Sequence, residues 1–195
     1  MKNLLTDIVW LKLTSMGMFQ RPHQPADKMM DEAGIIPLYH RWVKEWLRLF
    51  QLEGYIALKQ TQVSLLAPPT IAPQEAEQRW AHEKKQWESN RCLKAQITVL
   101  DSVIQALPEI LTGKILATEI LFPNSSLALV EELYKTSPVA NYFNHTLSDK
   151  VIEYISWRLE SENNPQIRII EIGAGTGATS ALLFEKLSRY RGAIG

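Results

Sequence analysis

The 195-residue chain has a composition typical of a folded globular protein, with 46% hydrophobic and 22% charged residues. Basic and acidic residues balance at 21 each, which excludes a global attraction to nucleic acid or to an anionic membrane. The single cysteine, Cys92, excludes an intramolecular disulfide framework and fits a reducing compartment. No apolar run approaches the roughly 18 residues that a membrane helix needs, so we expect a cytoplasmic protein that is not bound to membrane.

The first part of the chain predicts two helices, and the sequence pattern for the second is much stronger than for the first. Residues 1–36 allow one short helix around Leu4–Leu13 and then a loop, because glycine and proline recur after it. We leave this segment unassigned. From Pro37 onward apolar residues recur at helical spacing until Gly54, which is placed to end an amphipathic helix.

A small β hairpin is predicted next. Tyr55–Leu58 and Gln62–Leu66 are short apolar runs with strand character. A helix followed by a hairpin resembles the wing of a winged-helix module, and such a wing needs a basic recognition face to bind DNA. Glu45 interrupts the basic residues of the preceding helix, so we expect a structural subdomain and no nucleic-acid binding.

Further helices are predicted after the proline-rich connector Ala67–Pro73. Trp80 and Trp87 lie seven residues apart on one face of a charged helix, a spacing typical of core packing. After a break near Ser89 a second helical face continues. The remaining predicted segments are a short element between Pro108 and Gly113, a loop over Ile120–Ser126, a helix over Leu127–Tyr134 and a long helix from Ser137 to about Glu162.

The most specific feature is a glycine-rich turn between a strand and a helix. Ile167–Ile172 is rich in β-branched residues, and Ala178–Leu187 predicts a helix. Between them the pattern E-x-G-x-G-x-G begins at Glu171 and ends at Gly177. A strand, a glycine turn and a helix in succession are the opening of a doubly wound α/β domain. Glycines allow the sharp turn and let a ligand approach the backbone.

The spacing of this pattern separates three kinds of ligand site. A dinucleotide fold prefers G-x-G-x-x-G, and a P-loop requires a phosphate-binding lysine that is missing here. Glu171 would repel a pyrophosphate, whereas its carboxylate could hold water or the ammonium group of a cationic amino-acid moiety. The pattern therefore favours S-adenosylmethionine over a nucleotide phosphate.

A family resemblance rests on this turn and on four upstream segments. Glu171–Gly177 is similar to motif I of class I S-adenosylmethionine-dependent methyltransferases. The preceding sequence resembles the carbon-methylating domains of polyketide synthases and of mixed peptide-polyketide synthases, over roughly residues 35–190. The matching upstream segments are Leu107–Lys114, Leu121–Asn124, Leu133–Pro138 and Tyr142–Asn144.

The resemblance implies a fold and a set of site residues. It implies a mostly α lid with a small β hairpin over residues 37–165, followed over residues 166–195 by the first βα unit of a class I, Rossmann-like methyltransferase α/β domain. The implied cofactor is S-adenosylmethionine. The residues implied to contact it are Gly173, Ala174, Gly175 and Gly177 in the cofactor turn, Glu171 beside the methionine end, and Tyr142 and Asn144 in the lid segment.

The implied reaction is transfer of a methyl group to the α-carbon of a β-ketoacyl chain on an acyl carrier protein, with neighbouring synthase domains as further partners. A general base would form the enolate nucleophile. In the family this base is a histidine well beyond motif I, and no histidine of this chain falls in a matching position; the four are His23, His40, His82 and His145. The catalytic residues stay unknown, and we assign no metal site.

The segment after Gly177 is short for a class I fold, which needs about seven strands. An acid that binds ribose hydroxyls is expected on the order of twenty residues beyond the turn. We therefore expect the chain alone to be incomplete and inactive, and binding of the cofactor by it stays open. A strand without neighbours exposes its ladder groups, which would allow an oligomer to form through it.

Two alternatives stay open. The chain could be a vestigial methyltransferase that serves as a non-catalytic adaptor in a synthase, for example beside a loading domain. It could also be an unrelated helical regulatory protein whose glycine-rich segment is coincidental, although this leaves the upstream matches unexplained.

Overall fold

The computed structural model describes residues 2–135, 137–163 and 165–190, and the side chain of Cys92 is not among the described groups. Residues 191–195, which the sequence assigns to the α/β unit, lie outside these ranges. The described helices are α1 Lys2–Ser15, α2 Ala26–Glu32, α3 Pro37–Leu52, α4 Pro73–Glu88, α5 Arg91–Gln105, α6 Leu107–Leu111, α7 Ala117–Leu121, α8 Ala128–Lys135, α9 Pro138–Ser161 and α10 Ala178–Leu187. The described strands are β1 His23–Pro25, β2 Ile56–Lys59 and β3 Gln62–Leu65, and two 3₁₀ turns span Pro123–Ser125 and Ser188–Tyr190.

The predicted hairpin is confirmed as β2 and β3, which pair antiparallel with Leu58 opposite Val63. The sheet contains a third strand that the sequence did not predict. β1 pairs antiparallel with β3 and places Gln24 opposite Val63, so the strand order is β1-β3-β2. β1 ends at Pro25, which lacks a backbone N–H and therefore suits the edge of a sheet.

The main hydrophobic core lies between α1, α3, the sheet and α6. Trp10 stacks on Phe19 with ring centroids 4.0 Å apart, and Phe50 meets the Trp10 ring edge-on at 5.1 Å. Val43 and Leu47 of α3 join Phe50 in this core because spacings of four and three residues place them on one helical face. Residues 1–36, unassigned from sequence, thus supply one side of the core.

The α4–α5 pair forms a second cluster against α1. Trp80 is buried with Ala76 of the same helix and Ile104 of α5, and its ring lies 5.8 Å from that of Trp87. The predicted packing role of the two tryptophans is confirmed. Trp80 Nε1 donates a hydrogen bond of 2.7 Å to Asp101 of α5, so the polar edge of the ring is satisfied as well.

The long helix α9 connects the N-terminal helices with the glycine-rich segment, because it contacts α8 and α10. As predicted, Ser137 caps it by accepting a hydrogen bond of 3.2 Å from the Ala140 N–H, and Pro138 occupies the first turn. α8 packs against both α5 and α9. No helix within the described part of the chain is both long and apolar enough to cross a membrane.

The segment before the glycine-rich turn, predicted to be a strand, lies outside the described three-stranded sheet. Ile167 makes an isolated bridge, and no strand is present among residues 165–177. A strand is defined by its ladder partner, and the described residues provide none for this segment. Ile170 and Ile172 are accordingly 86% and 94% exposed.

We predict that Asp101 makes the stability of the helical pair sensitive to acid. Burial opposes ionisation of Asp101, but hydrogen bonds from Lys84, at 2.8 Å, and from Trp80 outweigh it and hold the pKa of this carboxyl below its ordinary value. A carboxyl with a lowered folded pKa stabilises the protein above its unfolded pKa, and this contribution is lost as the pH falls through the folded pKa.

Asp101→Asn should therefore lower the free energy of unfolding by about 2 kcal/mol at neutral pH. The free energy of unfolding of this variant should also fall less than that of the wild type as the pH is lowered. Urea titrations from about pH 7 down to about pH 3 measure both effects. Glu77→Gln, which removes an exposed carboxylate from α4, is the control for loss of one negative charge. An unchanged acid dependence in Asp101→Asn would contradict the assignment.

Candidate functional site

The glycine-rich loop has a backbone conformation that glycine adopts without strain. Gly173, Gly175 and Gly177 have φ angles of +79°, +59° and +73°, in the region that side chains disfavour. A Cβ at Gly173 or Gly177 would meet nothing within 4 Å, and one at Gly175 would meet only the Gly173 carbonyl oxygen, at 3.8 Å. Conformation rather than crowding thus requires glycine, and the surface above the loop is open to a ligand.

The loop leads directly into the first turn of α10. The Gly177 N–H donates to the Ala174 carbonyl at 2.9 Å and closes a turn, and Gly177 then forms the N-cap of the helix. The first backbone N–H groups of a helix have no partner within it and carry partial positive charge. Donor groups of the backbone therefore lie at the end of the loop that includes Gly177.

A groove of about 440 Å³ lies where the loop meets α9. It brings together two residues predicted to bind a ligand, Asn144 of α9 and Gly177 of the loop. The remaining lining residues are Glu131, Asn141, His145, Thr176, Ala178, Ala181 and Leu182. Tyr142 is not among them; this residue is 67% exposed, and its ring lies edge-on to that of Phe143 with centroids 5.5 Å apart.

Asn144 is held by a hydrogen bond from α10. The Thr179 hydroxyl donates to the Asn144 amide oxygen at 2.8 Å. This bond joins the lid helix α9 to the first turn after the glycine-rich loop. It engages the oxygen of the Asn144 amide and leaves its NH₂ group for another acceptor.

Glu171 lies at the other end of the loop. Its carboxylate accepts a hydrogen bond from the Ser180 hydroxyl, also in the first turn of α10. Glu171 lines a second pocket, of about 370 Å³, whose walls include Ser148 of α9 and Thr179 of α10. Gly173, Ala174 and Gly175 are exposed and line neither pocket. Of the predicted residues, Asn144 and Gly177 thus meet at the groove, and Glu171 lies apart from them in the second pocket.

The histidines differ in their surroundings. His23, His40 and His82 lie within hydrogen-bonding distance of Ser64 Oγ, the Ile35 carbonyl and the Gln86 amide, at 2.8, 3.0 and 2.9 Å respectively. His145, in contrast, lines the groove. Among the described residues no group of three potential metal ligands comes together.

Sequence reasoning did not include several residues that line or support the groove. Asn141 and His145 lie three residues before and one residue after Asn144, so helical spacing places all three on neighbouring parts of one face. Thr179 and Ser180 lie two and three residues after the last glycine. The start of α10 determines where their hydroxyls lie. Because the sequence already predicted that this helix begins at Ala178, it also placed both hydroxyls in the first helical turn.

Comparisons with known proteins support the family resemblance. A scan against models of protein families matches none. The chain superposes on the crystal structure of DszA carbon methyltransferase with a TM-score of 0.81 at 26% identity, covering 99% of this chain and 48% of that one. For the CurJ carbon methyltransferase the TM-score is 0.79 at 24% identity, with 99% and 49% covered.

The chain is also similar to two polyketide synthases of Bacillus subtilis strain 168. It is 38% identical to PksR over 192 residues, which are 97% of this chain and 7% of that protein. It is 40% identical to PksM over 159 residues, 78% of this chain and 4% of that protein. In sequence and in fold the chain resembles the carbon methyltransferase domains of polyketide synthases over nearly its whole length.

The likeness to the two solved carbon methyltransferases confirms the predicted fold class, a mostly α lid with a small sheet followed by the opening of a methyltransferase α/β domain. The chain spans about half the length of the two solved carbon methyltransferases and less than a tenth of the two Bacillus synthases. The activity of those larger proteins therefore enters below as a proposal.

We predict that the contact of α9 with α10 positions the site. Ile155, 1% exposed, packs with Ile167 and Leu187 in a cluster of their own. Ile155→Ala should destabilise this cluster by about 2–5 kcal/mol because it leaves a cavity, whereas Ile170→Ala, at an exposed position, should change stability by less than about 0.5 kcal/mol. Hydrogen exchange of α10 amides, followed by mass spectrometry, measures the difference.

Faster exchange in α10 with unchanged exchange in α3 is the expected result for Ile155→Ala. Equal exchange in the two variants would contradict a positioning role for this cluster.

Proposed function

We propose that this chain forms the lid and the methionine end of the cofactor site of a carbon methyltransferase in a polyketide synthase. The reaction is transfer of a methyl group from S-adenosylmethionine to the α-carbon of a β-ketoacyl chain on an acyl carrier protein. The observation that carries the proposal is the E-x-G-x-G-x-G loop, with three glycines at positive φ, which ends in a groove shared with Asn144.

The described residues fit the amino-acid end of S-adenosylmethionine. This end is a zwitterion, with one ammonium and one carboxylate group. The Glu171 carboxylate, at one end of the loop, complements the ammonium group, and the Asn144 NH₂ group and the first-turn amides of α10, at the other end, complement the carboxylate. When bound, the cofactor supplies an electrophilic methyl group on a sulfonium centre.

The loop backbone would provide the close approach between these two ends. Gly173, Ala174 and Gly175 are exposed, and the side chain that this stretch itself carries is the Ala174 methyl group. Tyr142 stays a prediction as a cofactor contact, and its exposed position suits a residue that meets another part of the site. The ribose-binding acid and the general base belong, in this proposal, to the half of the solved domains that the chain does not span.

The proposal has partners beyond the cofactor. The similarity to polyketide synthases supports action within a multidomain synthase. A carrier protein that presents the acyl chain, and neighbouring domains of the same synthase, are the partners that the reaction requires.

We predict that the chain binds S-adenosylmethionine in the micromolar range and that Gly175→Asp abolishes binding. Aspartate at Gly175 adds a negative charge and a side chain where the loop must meet the ligand, at a φ of +59°. Calorimetric titration with S-adenosylmethionine, and with S-adenosylhomocysteine as a second ligand, measures the affinities.

Gly54→Asp is the matched control. Gly54 also has a positive φ, of +79°, with nothing near its Cβ position, but it lies at the end of α3. Gly54→Asp should cost stability and retain binding, which separates backbone strain from loss of the site. Absence of binding by a folded wild-type chain would contradict the proposal and leave the adaptor hypothesis, which expects the same fold without a cofactor.

A further inference from the structure

Thr179 supports the groove without lining it. Its hydroxyl donates to the Asn144 amide oxygen at 2.8 Å, and the residue lines the second pocket together with Ser148 and Leu183. Asn144 lines the groove itself. The Thr179 hydroxyl therefore acts on a ligand in the groove through Asn144.

The bond decides which end of the Asn144 amide meets a ligand. A primary amide is planar, with an acceptor oxygen and a donor NH₂ group on the same carbon. Because the oxygen is engaged by Thr179, the NH₂ group is the end that remains for the groove. Without this bond the amide could rotate and present its oxygen, an acceptor that an anionic ligand would not tolerate.

The other groups at the groove favour an anion at this place. Gly177 and Ala178 bring the start of α10, with backbone N–H groups that lack a partner within the helix. The one carboxylate among the lining residues, Glu131, already takes part in an interaction within the chain. Asn144 and the start of α10 thus form a set of donors on one side of the groove.

We propose that Thr179 is a positioning residue that turns the Asn144 NH₂ group toward the carboxylate of the bound methionine moiety. This inference rests on the proposed function and adds to it the residue that orients the donor. Ser180, the next residue, makes the corresponding bond to Glu171 at the other end of the loop. The first turn of α10 therefore holds both polar groups through consecutive hydroxyls.

The test compares two ligands that differ only in the carboxylate. Decarboxylated S-adenosylmethionine retains the ammonium, sulfonium and nucleoside groups. Thr179→Val keeps the branched shape of the side chain and removes the hydroxyl. It should weaken the binding of S-adenosylmethionine by about tenfold and that of the decarboxylated ligand by less than about twofold. Calorimetric titrations of the 195-residue chain measure both affinities.

Two further variants complete the test. Thr179→Ser restores the hydroxyl and should return the affinity for S-adenosylmethionine to within about twofold of the wild type. Thr146→Val is the matched control, because Thr146 is an exposed residue of α9 whose hydroxyl donates to the Tyr142 carbonyl of its own helix. It should leave both affinities unchanged.

The outcomes separate this inference from the proposed function. Equal weakening of both ligands by Thr179→Val would show a merely structural role, and unchanged affinities would show no role, so either result overturns the inference while the cofactor site stands. A wild-type chain that binds neither ligand overturns the proposed function, and the inference with it.

Discussion

The packing of α10 on α9 determines where every candidate site residue lies. Ile155 and Leu187 are buried at this contact together with Ile167. Ile167 lies four residues before Glu171, where the glycine-rich pattern begins. Because α9 and α10 meet here, the Thr179 hydroxyl in the first turn of α10 reaches Asn144 of α9, and the neighbouring Ser180 hydroxyl bonds Glu171 at the start of the loop. Polar contacts reinforce the arrangement, with Lys186 paired to Asp149 and Ser156 bonded to Tyr190.

The N-terminal half of the chain is linked to the α9–α10 contact through helices α5 and α8. The aromatic core around Trp10 and Phe50 fixes α1, α3 and the small sheet, and α6 contributes Leu107 and Leu111 to it. α5 extends from the same region, and α8 connects α5 with α9. These contacts support α9, and a site residue such as Asn144 depends on such packing for a defined orientation.

Much of the helical architecture could be predicted from the sequence because its signals are local. Pro37 and Gly54 bound α3, Ser137 caps α9, and the buried residues of α3 recur at spacings of three and four. β1 could not be predicted, since its pairing partner Gln62–Leu65 lies about forty residues away and its sequence ends in proline. Long-range pairing of this kind leaves no local pattern.

The candidate site was predictable in part for the same reason. The glycine spacing marks a loop at positive φ, and the structure shows that conformation. The proximity of Asn144 to Gly177 is a tertiary contact, and it entered only through the family resemblance. Tyr142 and Asn144 lie two residues apart in the sequence, which corresponds to about 200° around a helix. The two side chains therefore cannot face the same groove. Asn141 and His145 share the Asn144 side instead.

The most direct test of the central claim, that the glycine-rich loop and α9 together bind the cofactor, is an NMR titration of the isotope-labelled chain with S-adenosylmethionine. The account predicts that the backbone amides from Gly173 to Ala178 and the side-chain NH₂ of Asn144 shift together, while the amides of α3 do not. Shifts confined to other surfaces, or none at saturating ligand, would contradict it.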